Sequence, residues 1–378
     1  MKIAAIATSL VPSSTANSIQ VMKACQALAQ AGHEVCLWVP GRDAARWEAL
    51  AERYGLETRF DVRWIPAPLI FRRYDFTLRA LLQARAWGAQ ALYTWALQAA
   101  LPGLWLGWPT LVELHGPPTG KLGPRLFRGF MRSPKPKRLL LITQALRQEL
   151  EAAYGLPLHG SDVQIAPNAA DRAQYAQLPD APTARAQLGL PQGLTVGYTG
   201  HFYAGRGMNL LFELARRFPQ VNFLWVGGNP RDVESWRERL SAAQLSHVTL
   251  TGFVPQRALP LYQAAADILL MPYERKIAGS SGGDSASICS PMKMFDYLAA
   301  GRAILTSDLP VLHEVLNPHN AVFCPPEDVD GWAAALGALI EDPQRIAALS
   351  RQARADSEPY TWLARAQRAL AGLPLEGK

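Results

Sequence analysis

Short runs of consecutive apolar residues, each followed by a turn or by helical spacing, recur along the whole chain. Continuous runs of this kind are typical of parallel strands that are covered on both faces. At the start of the chain the strand 2–7 leads through a small polar loop into a helix from about Ile19, which Gly32 ends, and the strand 34–39 follows. This is a βαβ unit, and its repetition predicts a doubly wound α/β fold.

The apolar runs form two series, separated at about residues 168–182, where the periodicity lapses into Ala, Asp, Gln and Pro and we predict a linker. A chain of 378 residues is also too long for one core, because single cores stop growing at roughly 250–300 residues. We therefore predict two Rossmann-like domains, 1–170 and 171–359, with a C-terminal helix at 360–378 that crosses back to the first. The predicted strands are 2–7, 34–39, 62–65, 91–94, 110–114, 138–143 and 163–166, then 194–199, 222–226, 248–250, 268–271, 303–307 and 321–324.

One uncharged stretch lies between Arg85 and Glu113, and its length raises the question of a transmembrane helix, which needs about 20 apolar residues. Polar and helix-breaking residues interrupt it, namely Gln90, Gln98, Pro102, Gly103, Gly107 and Pro109. These interruptions favour a buried strand, helix and strand instead.

The net charge of +7 and the pI of about 9.3 indicate an anionic partner. Charge alone does not distinguish nucleic acid, a phospholipid surface and a phosphorylated substrate. Nucleic acid is disfavoured, because no basic motif interleaved with aromatic residues is present. The four cysteines form no CxxC pair, and Met1 leads directly into an apolar strand. We expect a reduced, cytoplasmic protein, and peripheral association with the inner face of the membrane remains open.

Residues 290–301 carry the most informative motif and precede the strand 303–307. Ser290 is a favoured N-cap and Pro291 suits the first helical position, so we predict that a helix starts there. Free amides at a helix start attract anions, and Asp296, further along, is suited to accept hydrogen bonds from ribose hydroxyls. A capped surface helix, whose acid favours the dipole, explains the same residues equally well.

A glycine-rich loop follows the strand 194–199 and contains Gly200, His201 and Arg206. Glycine lets the backbone approach a ligand, and an arginine can hold phosphate through two hydrogen bonds. Ordinary turn chemistry is the alternative for the glycines. The position of the loop at the mouth of a parallel sheet favours a ligand site.

His115 ends the strand 110–114, at the edge of the sheet where α/β enzymes place reactive groups, although an isolated histidine is more often structural. No His or Cys pair has zinc spacing, and Asp328-Val329-Asp330 stands at a helix start, where capping is the simpler role. We expect neither a metal nor a cofactor.

Taken together, these motifs resemble glycosyltransferase family 4, whose members are retaining enzymes with two facing Rossmann-like domains, the GT-B fold. The resemblance extends over nearly the whole chain. The segments that carry it are Gly32-His33-Glu34-Val35, Ile165-Ala166-Pro167-Asn168, the glycine loop, Thr251-Gly252-Phe253-Val254-Pro255 and residues 290–308.

The resemblance implies that the second domain binds a nucleotide diphosphate sugar. Arg206 stands at the family's basic residue for the donor diphosphate, and His201 where the family often has arginine. Phe253 and Val254 match the segment whose backbone meets the base, and Asp296 matches the second acid of the Glu-x7-Glu motif, which holds the ribose. Gly200, Ser290, Pro291 and Lys293 complete the implied donor site.

In the first domain, the acceptor side, His115 matches the family's histidine near the transferred sugar. Two departures from the family pattern matter. The first acid of the Glu-x7-Glu motif falls at Ile288, so contact with the sugar must come from elsewhere. The usual glycine pair of the first loop is replaced by Thr15-Ala16, and Asn17 and Ser18 then bring side chains toward the phosphates or the acceptor.

The implied reaction is the metal-independent transfer of a hexose from a UDP- or GDP-linked donor to an unidentified acceptor, either lipid-linked or a glycan. Stabilising the diphosphate leaving group is then the main task of the protein. A sugar-nucleotide 2-epimerase with the same fold and a non-catalytic nucleotide-sugar binding protein are the alternatives.

Residues 121–138 include seven basic residues and no acid. Leu126, Phe127 and Phe130 can share one helical face, so an amphipathic element could lie in a lipid headgroup layer, with Arg125, Arg128 and Arg132 around it. A solvated loop that closes over the donor is the alternative.

Overall fold

The computed structural model describes residues 1–42, 44–68, 73–277 and 285–374. Contacts divide the chain into two compact units. The first contains the residues up to Asn168 together with the C-terminal stretch from Trp362, and the second is Ala169–Thr361. Each unit is an α/β domain built on a parallel sheet.

In the part of the first unit that the structure describes, seven parallel strands pair in the order β3-β2-β1-β4-β5-β6-β7. The strands are β1 (Lys2–Ile6), β2 (Glu34–Pro40), β3 (Asp61–Ile65), β4 (Ala91–Thr94), β5 (Thr110–Leu114), β6 (Lys137–Leu141) and β7 (Val163–Ile165). The helices between them are α1 (Ala16–Gln30), α2 (Trp47–Tyr54), α3 (Tyr74–Trp87), α4 (Leu97–Trp105), α5 (Gly123–Arg132) and α6 (Gln144–Tyr154).

The second unit has a six-stranded parallel sheet over its described residues, in the order β10-β9-β8-β11-β12-β13. Its strands are β8 (Thr195–Gly200), β9 (Asn222–Gly227), β10 (Val248–Gly252), β11 (Ile268–Met271), β12 (Ala303–Ser307) and β13 (Ala321–Cys324). Its helices are α7 (Ala181–Gln187), α8 (Met208–Arg217), α9 (Pro230–Ala242), α10 (Leu259–Ala264), α11 (Met292–Ala300), α12 (Val329–Ile340) and α13 (Pro343–Asp356). The segment predicted as a linker contains a short 3₁₀ helix, Arg172–Tyr175, and the start of α7.

The last helix, α14 (Trp362–Leu370), belongs to the first unit and packs against α1. Two arginines hold it there. Arg138 of β6 donates to the carbonyls of Arg368 and Ala369, and Arg365 of α14 donates to the carbonyls of Ala166 and Pro167. The predicted fold, two Rossmann-like domains with a C-terminal helix that returns to the first, is confirmed.

The apolar runs of the sequence form the central strands of both sheets. Both faces of a central strand are covered, so its residues must be mostly apolar. All five residues of β5 and of β12 are buried. The uncharged stretch between Arg85 and Glu113 forms β4, α4 and β5, so the expected strand, helix and strand are present. Among the residues that the structure describes, no helix combines the length and the apolar character needed to cross a membrane.

The strand order places one switch point in each sheet, between β1 and β4 in the first unit and between β8 and β11 in the second. In doubly wound folds the crevice for ligands lies outside the carboxyl ends of the strands at such a point. The glycine loop follows β8, and His115 follows β5, which neighbours β4. Each unit therefore carries its candidate residues at the ligand-binding edge of its own sheet.

Candidate functional site

The glycine loop of the second unit follows β8 and lies against the end of β11. Gly207 has a φ of 69°, and a Cβ added there would lie 2.0 Å from the carbonyl oxygen of Pro272. Only glycine fits this contact, because any side chain would collide with backbone. The loop is thus held close to the sheet, and Arg206 is held with it.

Arg206 is partly buried in a pocket of aromatic rings. Its Nη2 donates to the hydroxyl of Tyr203 at 2.7 Å, and its Cζ lies 4.8 Å from the ring centroid of Tyr203 and 5.1 Å from that of Tyr273. Its Nε is buried and has no hydrogen-bond partner among the described residues. A guanidinium placed in this way is fixed by its ring contacts and retains donors for an anion.

Lys293 reaches the same place from the first turn of α11. Its Nζ lies 3.9 Å from the ring centroid of Tyr198 and 5.5 Å from that of Tyr273. A Cβ added to Gly200 would come within 2.7 Å of this Nζ, so the glycine leaves the room that the ammonium occupies. Burial lowers the pKa of Lys293, and the positive charge of Arg206 lowers it further.

Two basic groups therefore lie at the carboxyl end of β8, and an anion bound there would favour the charged form of Lys293. Within the described residues no carboxylate forms an ion pair with either of them; the nearby Glu274 accepts a hydrogen bond from the amide of Gly207 at 3.3 Å. Two neighbouring positive charges repel each other, and an anion bound between them relieves the repulsion. The arrangement is suited to a ligand with more than one negative charge, such as a diphosphate.

The start of α11 differs from the prediction. The helix begins at Met292 rather than at Pro291, and Pro291 is the N-cap, with φ −67° and ψ 124° and no side-chain cap. The ring of proline fixes φ but leaves ψ free, so Pro291 adopts an extended conformation and the helical residues follow it. Ser290 is buried and does not cap the helix, which corrects its predicted role as the N-cap.

Asp296 lies one turn beyond Lys293 on α11. It forms a hydrogen bond with Tyr175 of the 3₁₀ helix, whose hydroxyl also lies 2.9 Å from Oε1 of Gln263. Burial raises the pKa of Tyr175, and the charge of Asp296 raises it further. Ile288, at the position of the family's missing acid, is buried and packs as an apolar residue.

The other predicted donor residues lie in loops at the same edge of this sheet. The ring of His201 stacks on that of Tyr203, at 5.2 Å between centroids, and its carbonyl accepts from the hydroxyl of Tyr198 at 2.7 Å. Phe253 directly follows β10 and is exposed, whereas Val254 packs against the cluster around α10. His201 is thus fixed beside the cationic pair, and the ring of Phe253 stays accessible.

In the first unit, His115 follows β5 and is bound to a buried carboxylate that the sequence analysis did not single out. Its Nε2 lies 2.7 Å from Oε1 of Glu113, whose side chain is fully buried near the carboxyl end of β5. The sequence did contain a signal, since Glu113 is the one charged residue of an otherwise uncharged strand. A buried acid without a partner would be costly, so its presence indicates a partner elsewhere in the chain.

That partner comes from α14. Nη2 of Arg365 lies 2.7 Å from Oε1 of Glu113, and its Nη1 donates to the hydroxyl of Tyr93 at 3.1 Å. Tyr93 and Gln20 also donate to the carboxylate, at 2.5 Å and 2.6 Å. Burial alone would raise the pKa of Glu113, but the charge of Arg365, the contact with His115 and the hydrogen bond from Tyr93 outweigh it and lower the pKa to about 2.

The first loop gives a different result from the prediction for Ser18. Helix α1 begins at Ala16, with Thr15 as the N-cap that accepts from the amide of Ser18. Ser18 is fully buried, and its hydroxyl is hydrogen-bonded to that of Tyr54 at 2.5 Å. Its side chain therefore lies inside the domain and does not face a ligand. Asn17 is partly buried in the first turn of α1.

The basic segment 121–138 forms α5 and then β6, and its predicted apolar face is not exposed. Phe127 and Phe130 are fully buried, and α5 packs against α4. Because a folded domain uses these rings in its own core, they are not available to enter a headgroup layer, and that prediction is wrong. Arg125 and Arg132 are exposed, and Arg128 lies over the ring of Tyr154.

The two acids of the Asp328-Val329-Asp330 segment are used for structure. Asp328 caps α12 by accepting from the amide of Gly331, and Asp330 pairs with Arg217 at 2.6 Å. Over the described ranges, no group of three or more His, Cys, Asp or Glu side chains is arranged for a metal ion. The four cysteines are free thiols.

A cavity of about 420 Å³ lies at the opposite edge of the second sheet, where residues 301 and 302 precede β12. Arg302 and Arg354 line it, and both donate to carbonyls near helix ends, those of Ala264 and Ala299. These arginines therefore cap helices, and the cavity is separate from the cationic pair at the carboxyl edge.

Comparisons with known proteins agree with this arrangement. Residues 18–174 match the family model described as Glycosyltransferase Family 4, and residues 193–342 match that described as Glycosyl transferases group 1. A phosphatidyl-myo-inositol mannosyltransferase of Mycolicibacterium smegmatis is 31% identical over 285 residues, which are 72% of this chain and 65% of that relative. The match thus spans somewhat less than two thirds of the relative's length.

Solved structures share the fold at lower identity. Sucrose-phosphate synthase from Thermosynechococcus elongatus has a TM-score of 0.72 at 18% identity, covering 97% of this chain and 96% of that one. Anabaena HepE in complex with UDP and glucose has a TM-score of 0.73 at 16% identity, covering 97% and 98%. Both halves of the chain thus match glycosyltransferase family models, and the chain is a glycosyltransferase of the family 4 type.

Proposed function

We propose that this protein is a retaining glycosyltransferase that moves a hexose from a UDP- or GDP-linked donor to a lipid-linked or glycan acceptor, without a metal or other cofactor. The observation that carries the proposal is the pair of Arg206 and Lys293 at the carboxyl end of β8. Breaking the bond between the sugar and the diphosphate makes the leaving group more anionic. Two fixed cations in a partly buried site stabilise that charge, which is the role a metal ion has in other transferases.

The neighbouring residues supply the rest of the donor site. Asp296, one turn along α11, accepts hydrogen bonds from the ribose hydroxyls, and the backbone at Phe253 and Val254 meets the base. Gly200 and the start of α11 at Pro291 allow the phosphates to approach the amides of the first turn. In the first unit His115 is the residue that we propose for a hydroxyl of the transferred sugar, and Asn17, in the first turn of α1, is the one for the acceptor or a phosphate. Family membership supports retention at the anomeric carbon.

The relatives support the choice of substrate classes. HepE was solved with UDP and glucose, and the mycobacterial relative is named for transfer of mannose to a phosphatidylinositol. These names favour a nucleotide-linked hexose as donor and make a lipid acceptor a reasonable first candidate.

A thermal-shift panel tests the donor site directly. UDP, GDP, ADP and the corresponding monophosphates are compared at saturating concentration, because a ligand at 100 times its Kd adds about 2.7 kcal/mol to the free energy of unfolding. We expect one diphosphate to raise the Tm more than its monophosphate does. The same shift is measured in excess EDTA, where it should persist. No response to any nucleotide diphosphate would exclude the proposed donor site, and a response that requires Mg²⁺ or Mn²⁺ would exclude metal independence.

We also propose that the first unit associates with an anionic membrane through the end of α4 rather than through α5. Trp105 is 68% exposed and Leu106 38% exposed. The Nζ of Lys135 donates to the carbonyl of Leu104 at 2.7 Å, so a cation lies beside these apolar side chains. A tryptophan next to basic residues is suited to the headgroup layer, where each cation contributes about 1 kcal/mol.

Liposome flotation with phosphatidylglycerol vesicles at low salt tests this surface. Wild type should float, and Trp105→Ser with Leu106→Ser should remain at the bottom of the gradient. The matched control is Leu78→Ser with Leu82→Ser. It removes two exposed leucines of α3, each 61% exposed, that lie on a different helix. If all three proteins float, or none does, the proposed surface is wrong.

A further inference from the structure

The buried Glu113 of β5 connects the C-terminal helix to the histidine of the candidate site. Its carboxylate accepts from residues on four other segments of the first unit: Gln20 of α1, Tyr93 of β4, His115 after β5 and Arg365 of α14. Side chains of Glu113 and Arg365 are both almost fully buried. The sequence separates the last of these partners from Glu113 by most of the chain.

The charge of Glu113 determines which proton His115 carries. An ionised carboxylate has no hydrogen to donate, so the 2.7 Å contact with Nε2 requires a hydrogen on that nitrogen. In a neutral imidazole the other nitrogen, Nδ1, is then an acceptor. Within the described residues Nδ1 has no hydrogen-bond partner, and the side chain of His115 is 27% exposed.

The ionised state of Glu113 depends in turn on Arg365. A carboxylate buried without a counter-charge becomes protonated, and a protonated acid could donate to Nε2 and reverse the direction of this hydrogen bond. Arg365 supplies the counter-charge, and the carbonyls of Ala166 and Pro167 hold its guanidinium in place.

We propose that Glu113 and Arg365 are positioning residues, which fix His115 as the tautomer with hydrogen on Nε2 and so present Nδ1 as an acceptor for a substrate hydroxyl. The C-terminal helix is thereby part of the active site, although it lies outside both segments that match the family models. The use of Nδ1 by a sugar hydroxyl rests on the proposed function; the tautomer itself does not.

The tautomer is measured by long-range ¹H–¹⁵N NMR of the full-length protein with ¹⁵N-labelled histidine, at a pH where His115 is neutral. The signal of His115 is assigned by its loss in His115→Gln. We expect wild type to carry hydrogen on Nε2. In Glu113→Gln the amide can accept or donate, so we expect the hydrogen to distribute between both nitrogens. Hydrogen on Nδ1 in wild type, or an unchanged pattern in Glu113→Gln, would overturn the proposal.

A matched pair of arginine variants separates positioning from simple attachment of the helix. Arg365→Met removes the charge that Glu113 requires. Arg138→Met removes the other arginine that holds α14, whose bonds go to the carbonyls of Arg368 and Ala369 and not to Glu113. Only Arg365→Met should alter the tautomer of His115, and Arg365→Lys should restore part of the wild-type pattern. Equal effects of Arg365→Met and Arg138→Met would show that Arg365 only attaches the helix.

The kinetic readout uses slow hydrolysis of UDP-glucose or GDP-mannose, whichever the protein turns over. Arg365→Met and Glu113→Gln should lower kcat by roughly 10- to 100-fold, the size of loss known for partners that orient metal-bound histidines, with little change in KM. If wild type neither binds nor turns over any nucleotide sugar, the proposed function fails, while the NMR result still decides the role of Glu113 and Arg365. A wild-type kcat in a variant with an altered tautomer would show that the tautomer has no role at the sugar.

Discussion

The ammonium of Lys293 and the guanidinium of Arg206 share the ring of Tyr273, at 5.5 Å and 5.1 Å from its centroid. One aromatic ring therefore contacts two basic groups, one from the start of α11 and one from the glycine loop. This arrangement brings both charges to the same edge of the sheet, and it does so before any anion is bound.

For Arg206 we predict that substitution by methionine weakens nucleotide diphosphate binding while the fold persists. Charge-assisted hydrogen bonds contribute roughly 1.5–3 kcal/mol, which corresponds to a Kd raised about 10- to 150-fold. The control is Arg239→Met, because Arg239 also lies over aromatic rings of the second unit, those of Trp236 and Phe212, but belongs to α9. Calorimetric titration with UDP and GDP gives the Kd values, and similar values for both variants would contradict the assignment.

Asp296→Asn should weaken binding of a nucleotide diphosphate more than it weakens binding of inorganic pyrophosphate. The reason is that its carboxylate is assigned to the ribose and not to the phosphates. Tyr175→Phe serves as the control for the hydrogen bond that Asp296 already makes within the protein. If Asp296→Asn affects both ligands equally, the carboxylate acts through the phosphate site and the ribose assignment fails.

Gly207→Ala should destabilise the second unit and weaken diphosphate binding at the same time. Its Cβ would collide with the carbonyl of Pro272, and the loop that carries Arg206 would have to move. Gly155→Ala is the matched control, because Gly155 also has positive φ, 61°, but has no atom within 4 Å of the added Cβ. Both variants carry the backbone strain of roughly 1 kcal/mol, so any additional loss in urea unfolding reports the collision.

Glu113 should make the stability of the first unit depend on pH in the acid range. Its pKa is lowered from 4.5 to about 2 in the folded protein, so its contribution is present above pH 4.5 and is lost as the pH falls toward 2. The full loss is roughly 3 kcal/mol. Urea unfolding at several pH values between 5 and 2.5 measures this, with Glu113→Gln as the reference. If the stability of Glu113→Gln falls as steeply with decreasing pH as that of wild type, other acids are responsible for the pH dependence.

The strands could be predicted from the sequence because the central strands are mostly apolar runs, and β11, Ile268–Met271, is an example. The loop with Gly200 and Arg206 could be placed for a related reason, since the carboxyl ends of parallel strands share one edge of the sheet. The exact start of α11 could not, because proline is compatible with both the N-cap and the first helical position. For Ser18, no local pattern indicates that its hydroxyl is hydrogen-bonded to Tyr54, which lies in another helix.

The errors in α5 and the missed Arg365 have one physical cause. Amphipathic spacing shows that Phe127 and Phe130 share a face but not whether that face meets the core or a membrane. In the same way, the basic residues of α14 look alike in sequence, yet Arg368 lies on the surface and Arg365 is buried against Glu113. Which residues are buried is decided by tertiary packing between segments that are far apart in the chain.

The position of Arg365 also sets the order in which the protein can be completed. A ribosome releases the residues of the first domain early, and domains commonly fold as they emerge. Here the counter-charge for Glu113 is synthesised only after the entire second domain, so until Arg365 emerges the carboxylate has Gln20, Tyr93 and His115 as partners but no arginine. The domain that is translated first is the last to be complete.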